Sequence, residues 1–138
     1  MIAEYTRINP WVYSHRYPAT TFTNNGYVMG DWMGQNADNL YLDLSHHPMR
    51  SLALGATMEI FRKGGMKDVY YQYVNPSQEF LYGPLHEERS FGFYVKYEFW
   101  SDGFIDAGVR SLTISDEASG ISKEKKLEWK ISARYGLW

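Results

Sequence analysis

Two runs of strict alternation joined by one short link constrain this chain more than any other feature. They lie in residues 36–63. Leu40, Leu42 and Leu44 fall on one side of the first run, with Asn39, Tyr41, Asp43 and Ser45 on the other. After His46-His47-Pro48-Met49-Arg50 the pattern resumes. Leu52, Leu54, Ala56, Met58 and Ile60 oppose Ser51, Ala53, Gly55, Thr57 and Glu59. A period of two is the signature of a β-strand, because successive side chains point to opposite sides of the pleat. Two such arms around a Pro-containing link predict a hairpin. The second arm is longer than the usual strand of about 5–6 residues. Its second face is small and polar with little charge, as expected where one side meets hydrocarbon and the other a wet lumen. One sheet of a soluble sandwich selects the same pattern, so the remaining strands must discriminate.

The alternation returns at 90–100, where Phe91, Phe93, Val95, Tyr97 and Phe99 oppose Gly92, Tyr94, Lys96 and Glu98. Ser101-Asp102-Gly103 reads as a tight turn into a strand bearing Ile105, Ala107 and Val109. The phase then flips to Leu112 and Ile114, which predicts a bulge near Arg110 or the end of the buried zone there. A last strand carries Leu127, Trp129, Ile131, Ala133, Tyr135 and Leu137 on one side. Residues 2–8 can form a first strand of ambiguous phase, and a short strand is expected at 11–15. The connections are then long (9–37), short (46–50), long (64–88), short (101–103) and long (115–126). Outer-membrane barrels have this asymmetry of extended outer loops and tight periplasmic turns. Lys96, Glu98, Asp106, Arg110, Glu128, Lys130 and Arg134 share the side opposite the aliphatic rows, where charges of both signs can pair across strands. The expectation is an all-β, antiparallel up-and-down meander of about six strands. It forms part of a transmembrane β-barrel, a single unit over 1–138 with no separate second domain.

Composition narrows the classes. The formal net charge is −2, which gives no electrostatic case for nucleic acid. There is no Cys, hence no disulfide scaffold and no thiolate metal site. Aromatics make up 17% of the chain, a mixture that favours β structure. No run of about 18 apolar residues occurs, which excludes a transmembrane helix and leaves a barrel open. The first residues carry neither a basic nor an apolar leader segment. A chain bound for the outer membrane needs one, so the expectation is that either the protein is not exported or Met1 is not the natural start. Six strands also fall short of the eight that close the smallest barrels.

Three segments carry a resemblance: 4–15 (EYTRINPWVYSH), 30–42 (GDWMGQNADNLYL) and 62–64 (RKG). In these the chain resembles the Wzi-type capsule-assembly family of outer-membrane β-barrels, over what is the C-terminal part of a family member. The terminal aromatic Trp138 fits an outer-membrane strand end. The resemblance implies a bacterial outer-membrane protein that holds capsular or exopolysaccharide at the cell surface. The partners it implies are that polysaccharide, outer-membrane lipid, and barrel strands supplied by the rest of a longer chain.

Carbohydrate sites in water combine aromatic faces, which stack on apolar C–H patches, with amides and carboxylates that bond hydroxyls. The first long connection offers Trp11, Tyr13 and Trp32 with Asp31 and Asn36, beside Tyr17, Tyr27, Asn24, Asn25 and Gln35. The second offers Tyr70, Tyr71 and Tyr73, beside Gln72, Asn75 and Gln78. The connection at 115–126 has no aromatic. The plainer use of any one ring is packing the loops onto each other and onto the barrel mouth. Tyr97, Trp100 and Trp129 read as girdle residues at strand ends. His46 and His47, adjacent on an extended chain, point apart and cannot share a metal. His86-Glu87-Glu88 lacks a second cluster, so no metal or other cofactor is expected. An outer-membrane hydrolase is the rival class, with His15, His86, Ser14, Ser77 and Ser90 available. None of these lies in a nucleophile motif, so no catalytic residue is assigned. A soluble carbohydrate-binding sheet domain is the other alternative.

Overall fold

The alternating segments assemble into one sheet. The structure, a computed structural model, describes residues 1–13, 23–24, 27–28, 30–65, 70–74 and 76–136. Its strands are β1 (Ile2–Ile8), β2 (Thr23–Asn24), β3 (Tyr27–Val28), β4 (Ala37–Met49), β5 (Leu52–Lys63), β6 (His86–Trp100), β7 (Gly103–Asp116) and β8 (Ile121–Tyr135). One helical turn, α1 (Tyr71–Val74), lies between β5 and β6. Six strands form an antiparallel meander in the order β1-β4-β5-β6-β7-β8, with β1 and β8 at its edges, and β2 and β3 make a separate two-stranded ribbon.

Directly paired residues in antiparallel strands share a face. The register therefore assigns every side chain to one of two surfaces. Leu44, Ala56, Phe93, Val109 and Trp129 form one continuous row across five strands. Leu42, Met58 and Phe91 stand in the row beside it. Ser45, Gly55, Tyr94, Gly108 and Lys130 form a row on the other surface. The aliphatic and aromatic rows expected from alternation thus lie on a single face, and Lys96, Glu98, Asp106, Arg110, Glu128, Lys130 and Arg134 lie on the opposite one. β1 resolves its ambiguous phase the same way: Ala3 and Tyr5 join the apolar face beside Leu42 and Leu40.

Burial is inverted relative to a water-soluble sheet. The apolar row is exposed even at Phe93 (54%), which has strands on both sides, and Trp129 reaches 76%. The buried side chains include Asn36 at 0% and Asp38 at 2%. Among the described residues the buried hydrophobic set is only Ile8, Trp11, Met33, Ala37 and Tyr82.

The polar face is laced by side chains that lie flat across their neighbours. Tyr94 on β6 crosses Gly55 on β5 and donates its hydroxyl to Asp43 on β4 (3.1 Å). A Cβ at Gly55 would overlap the Tyr94 ring, so only glycine lets the ring lie there. Arg110 on β7 reaches Glu59 on β5, two strands away (3.2 Å), while Asn39 on β4 donates to the other Glu59 oxygen (3.2 Å). Asp106 accepts from Arg134 (2.7 Å) and Ser132 (3.3 Å). Arg110 with Glu59 and Arg134 with Asp106 thus pair charges of both signs across strands between β5 and β8.

Several boundaries differ from expectation. β4 continues through His46 and Pro48 to Met49, with a register shift between His46 and Met49, so the link shrinks to residues 50–51. β6 begins at His86 rather than near 90. The long loop expected at 115–126 is a turn at 117–120, because β7 runs to Asp116 and β8 starts at Ile121. The alternation of long and short connections therefore fails at its third long member. Lys123 to Lys126 are polar because they extend β8 beyond the apolar zone, not because they form a loop. No bulge occurs at Arg110, where the β6–β7 register is continuous. Leu112 and Ile114 instead belong to the polar face near the loops, where that face turns apolar. Trp129 stands mid-strand in the Phe93 row instead of at a strand end. Residues 11–13 form a turn, not a strand; 14 and 15, like 137 and 138, lie outside the described residues.

Candidate functional site

The two long connections converge on the polar face at the end where β1, β5 and β7 finish. Alternation explains why something docks there. Ile8, Ala37 and Phe61 fall on the polar face just where the strands run out, and Met33 of the first connection closes over them. Tyr13 and Phe61 pack against this small cluster.

Asn36 fastens the connections together. Its side-chain amide donates to the carbonyls of Gly65 (3.0 Å) and Tyr82 (3.2 Å), and its Oδ1 accepts from the Leu81 N–H (2.8 Å). Its backbone N–H donates to Asn9 and its carbonyl accepts from Gly64. The φ of +57° is one that asparagine tolerates better than other non-glycine residues. Gly64 is required in turn, since a Cβ there would stand 2.6 Å from the Tyr82 carbonyl oxygen. Trp11 (φ +71°) and Leu81 (φ +59°) hold left-handed conformations around the same knot. Such strain persists only where the surroundings enforce it.

The remaining site residues of the first connection follow from this anchor. Trp11 is buried with its ring tilted against Tyr82 (centroids 5.9 Å apart). Its indole Nε1 is buried with no hydrogen-bond partner among the described residues. The Tyr13 hydroxyl accepts from the Asp31 N–H (3.3 Å), and the ring covers Gly30. Asp31 Oδ1 accepts from the Met33 N–H (3.0 Å), and its carbonyl accepts from the Gly34 N–H, closing a tight turn. That turn holds Trp32 outward at 70% exposure, its ring 5.1 Å from Phe61. Phe61 meets the His86 ring edge-on (6.2 Å). Beside Trp32 and Phe61 a pocket of about 210 Å³ is lined by Glu59, Glu88, Ser90, Arg110 and Leu112. It combines an exposed indole face with carboxylates, a guanidinium and a hydroxyl. A separate, larger cavity of about 890 Å³ opens at the turn end of the polar face, among Lys96, Asp106 and Arg134.

Comparison with known proteins finds no matching family model, no matching curated protein and no matching solved structure.

Trp11, Tyr13, Asp31, Trp32 and Asn36 are thus gathered in one connection. Trp32 is the ring that faces outward, while Trp11 packs on Tyr82, Tyr13 bonds the Asp31 N–H and Asn36 clasps the second connection. Tyr70, Tyr71 and Tyr73 stand exposed on and beside α1 in the second connection. Tyr17 and Asn25 lie outside the described residues, as do the side chains of Asn24, Tyr27, Gln72 and Asn75. Alternation alone missed Phe61, His86, Glu59 and Arg110 as neighbours of Trp32. The usable signal was Phe61, an aromatic on the polar register one step before a loop. For the hydrolase alternative, the His86 ring nitrogens face Glu88 (3.0 Å) and Asp116 (3.6 Å), both carboxylates. Ser90 lies four residues along the same strand, roughly 13 Å away at strand rise. His46 pairs with Leu54 on the apolar face and His47 lines the cavity on the other, as adjacent strand residues must.

Proposed function

We propose that this chain is part of a bacterial outer-membrane β-barrel of the capsule-assembly kind, retaining surface polysaccharide through its aromatic-rich connections. The observation that carries the reading is the inverted polarity of the sheet. A single face collects the apolar rows and leaves them exposed, and the other is polar, with Arg110 paired to Glu59 and Arg134 to Asp106 across strands. Lipid is the solvent that rewards the first face, and a wet lumen suits the second. The apolar row on β5 from Leu52 to Ile60 spans about 27 Å of strand at the usual rise, or roughly 20 Å at a barrel tilt near 40°. That approaches the outward apolar band of about 25 Å in outer-membrane barrels. The edges of β1 and β8 need partners, since unpaired backbone in hydrocarbon is prohibitively costly, and further strands of a longer chain supply them.

The polysaccharide assignment rests on Trp32 and its pocket. An outward indole over Phe61, with Glu59, Glu88 and Arg110 alongside, offers a stacking surface and hydroxyl partners in one place. Tyr70, Tyr71 and Tyr73 provide further rings on the neighbouring connection. Stacking contacts are weak singly, and a repeating polymer engages several at once. Replacing Trp32 and Tyr71 by Ala in the membrane-inserted protein is expected to weaken polysaccharide binding roughly fivefold for each ring. The readout is capsule retained on cells and affinity for the purified glycan. Unchanged retention, at normal folding and surface level, returns both rings to a packing role.

A further inference from the structure

The two rims of the apolar face differ in chemistry. At the turn end the row carries Tyr97 beside Ile105, and Trp100 and Tyr135 flank Gly103. Among the described strand residues no Lys, Arg, Asp or Glu stands on that rim, and His46 is its one titratable imidazole. At the loop end the face changes abruptly. The register places Lys125, Thr113, Arg89, Ile60, Leu40 and Tyr5 in one row. The next row outward holds Glu87, Arg62, Asp38 and Arg7. Four cations thus meet two anions on this rim.

Both anions are already engaged. Asp38, buried, accepts from Arg62 Nε (3.0 Å) and Nη2 (2.5 Å) and from the Tyr5 hydroxyl (3.1 Å). Glu87 accepts from Arg89 Nε (2.6 Å). A guanidinium has five N–H donors in a fixed fork. Among the described residues Arg62 commits two of them and Arg89 one, so the carboxylates orient both forks and leave donors free. Between them lies a cleft of about 290 Å³, floored by Leu40 and Ile60 and lined also by Tyr5 and by the two engaged carboxylates, Asp38 and Glu87. Below those two side chains the Leu42 and Met58 row begins.

We propose that this cleft binds the phosphorylated head group of a membrane lipid, whose acyl chain lies along the Leu40, Ile60, Leu42 and Met58 surface. Arg62 and Arg89 bond the phosphate, and Lys125 and Arg7 add to the local positive potential. A fork held in place by a buried carboxylate is well suited to phosphate, which it meets with paired parallel bonds. The zwitterionic alternative lacks the net charge that the rim complements. The inference rests on the membrane-facing assignment of the apolar face, and its test separates the two.

A chain that carries further barrel strands together with these residues is purified from membranes in mild detergent and titrated with phosphatidylglycerol or phosphatidylcholine, with bound lipids counted by native mass spectrometry. Phosphatidylglycerol is expected to bind more tightly than phosphatidylcholine. The double variant Arg89→Gln, Lys125→Gln, which leaves the Asp38–Arg62 pair intact, is expected to lose that preference by on the order of tenfold or more. Arg62→Lys keeps a partner for Asp38 and is expected to lose part of it. Equal binding of both lipids, or a preference unmoved by the double variant, overturns the lipid site while leaving membrane insertion standing. Displacement of the lipid by inorganic phosphate at equal concentration also overturns it, in favour of a free-anion site. Failure of the chain to appear in any membrane fraction overturns the membrane assignment itself, and the lipid site with it.

Discussion

Asn36 shows how much of the loop end depends on one side chain. It satisfies three backbone groups drawn from the far side of β5 and from the segment preceding β6. Alanine at this position leaves the Leu81 N–H and the Gly65 and Tyr82 carbonyls without that partner, and puts at φ +57° a residue that tolerates it less well than asparagine. A buried group stripped of its partner costs about 1–3 kcal/mol, so Asn36→Ala is expected to destabilise the loop end by at least that amount. Hydrogen exchange reads the effect directly. Protection at Leu81 and Gly64 should fall, while amides at the centre of β6 and β7 stay as they were. Loss of protection throughout the sheet would instead make Asn36 part of the global fold. From the sequence Asn36 reads as a hydroxyl ligand, because an Asn in an aromatic loop is the usual form of a sugar contact. Its conversion into a clasp depends on Gly65, Leu81 and Tyr82, some 30 to 45 positions away. No local pattern carries that distance. Trp32, by contrast, is set outward by the Asp31 turn beside it, and a short-range signal of that kind is readable in the chain.

At the scale of elements, the strands and their faces were legible and their ends were not. Period-two alternation is a property of each strand alone, so β4, β5, β6 and β8 follow it to within a few residues. The ends fail where polarity inverts. Leu112 and Ile114 change face because the loops cap the polar side there, and the lysines of 123–126 extend a strand beyond its apolar zone. A reader of one sequence sees a phase break and a polar run, which resemble a bulge and a loop. The cross-strand spans test whether the polar face is built as described. Gly55→Ala drives a methyl group into the Tyr94 ring and should cost about 1–3 kcal/mol, typical of overpacking. Tyr94→Phe keeps the ring over Gly55 and removes the hydroxyl that bonds Asp43, at roughly 1.5–3 kcal/mol for a bond to a charged acceptor. Chemical unfolding from detergent or bilayer measures both. If the double variant is no worse than Gly55→Ala alone, ring and bond act together as one span across β4, β5 and β6. Strict additivity would mean that they do not.

At the scale of the molecule, six strands with two free edges cannot bury their own backbone in hydrocarbon. The 138-residue chain by itself is therefore expected to aggregate or stay unfolded in detergent, while a longer chain carrying further strands folds. Heat-modifiable migration of the 138-residue chain as a discrete monomer would contradict that. The central claim, that lipid covers the apolar face, has a more direct test, made simpler because these 138 residues contain no Cys. Single cysteines placed in turn at 105 to 110 of β7, each carrying a nitroxide in the membrane-inserted protein, report exposure to oxygen dissolved in the bilayer and to a water-soluble nickel chelate. β7 has neighbours on both sides, so edge effects do not enter. Positions 105, 107 and 109 are predicted to be reached by oxygen and shielded from the chelate, and 106, 108 and 110 to show the reverse. Protection of 105, 107 and 109 from both reagents, as in a dry protein core, or free access of the chelate to all six positions, would contradict it.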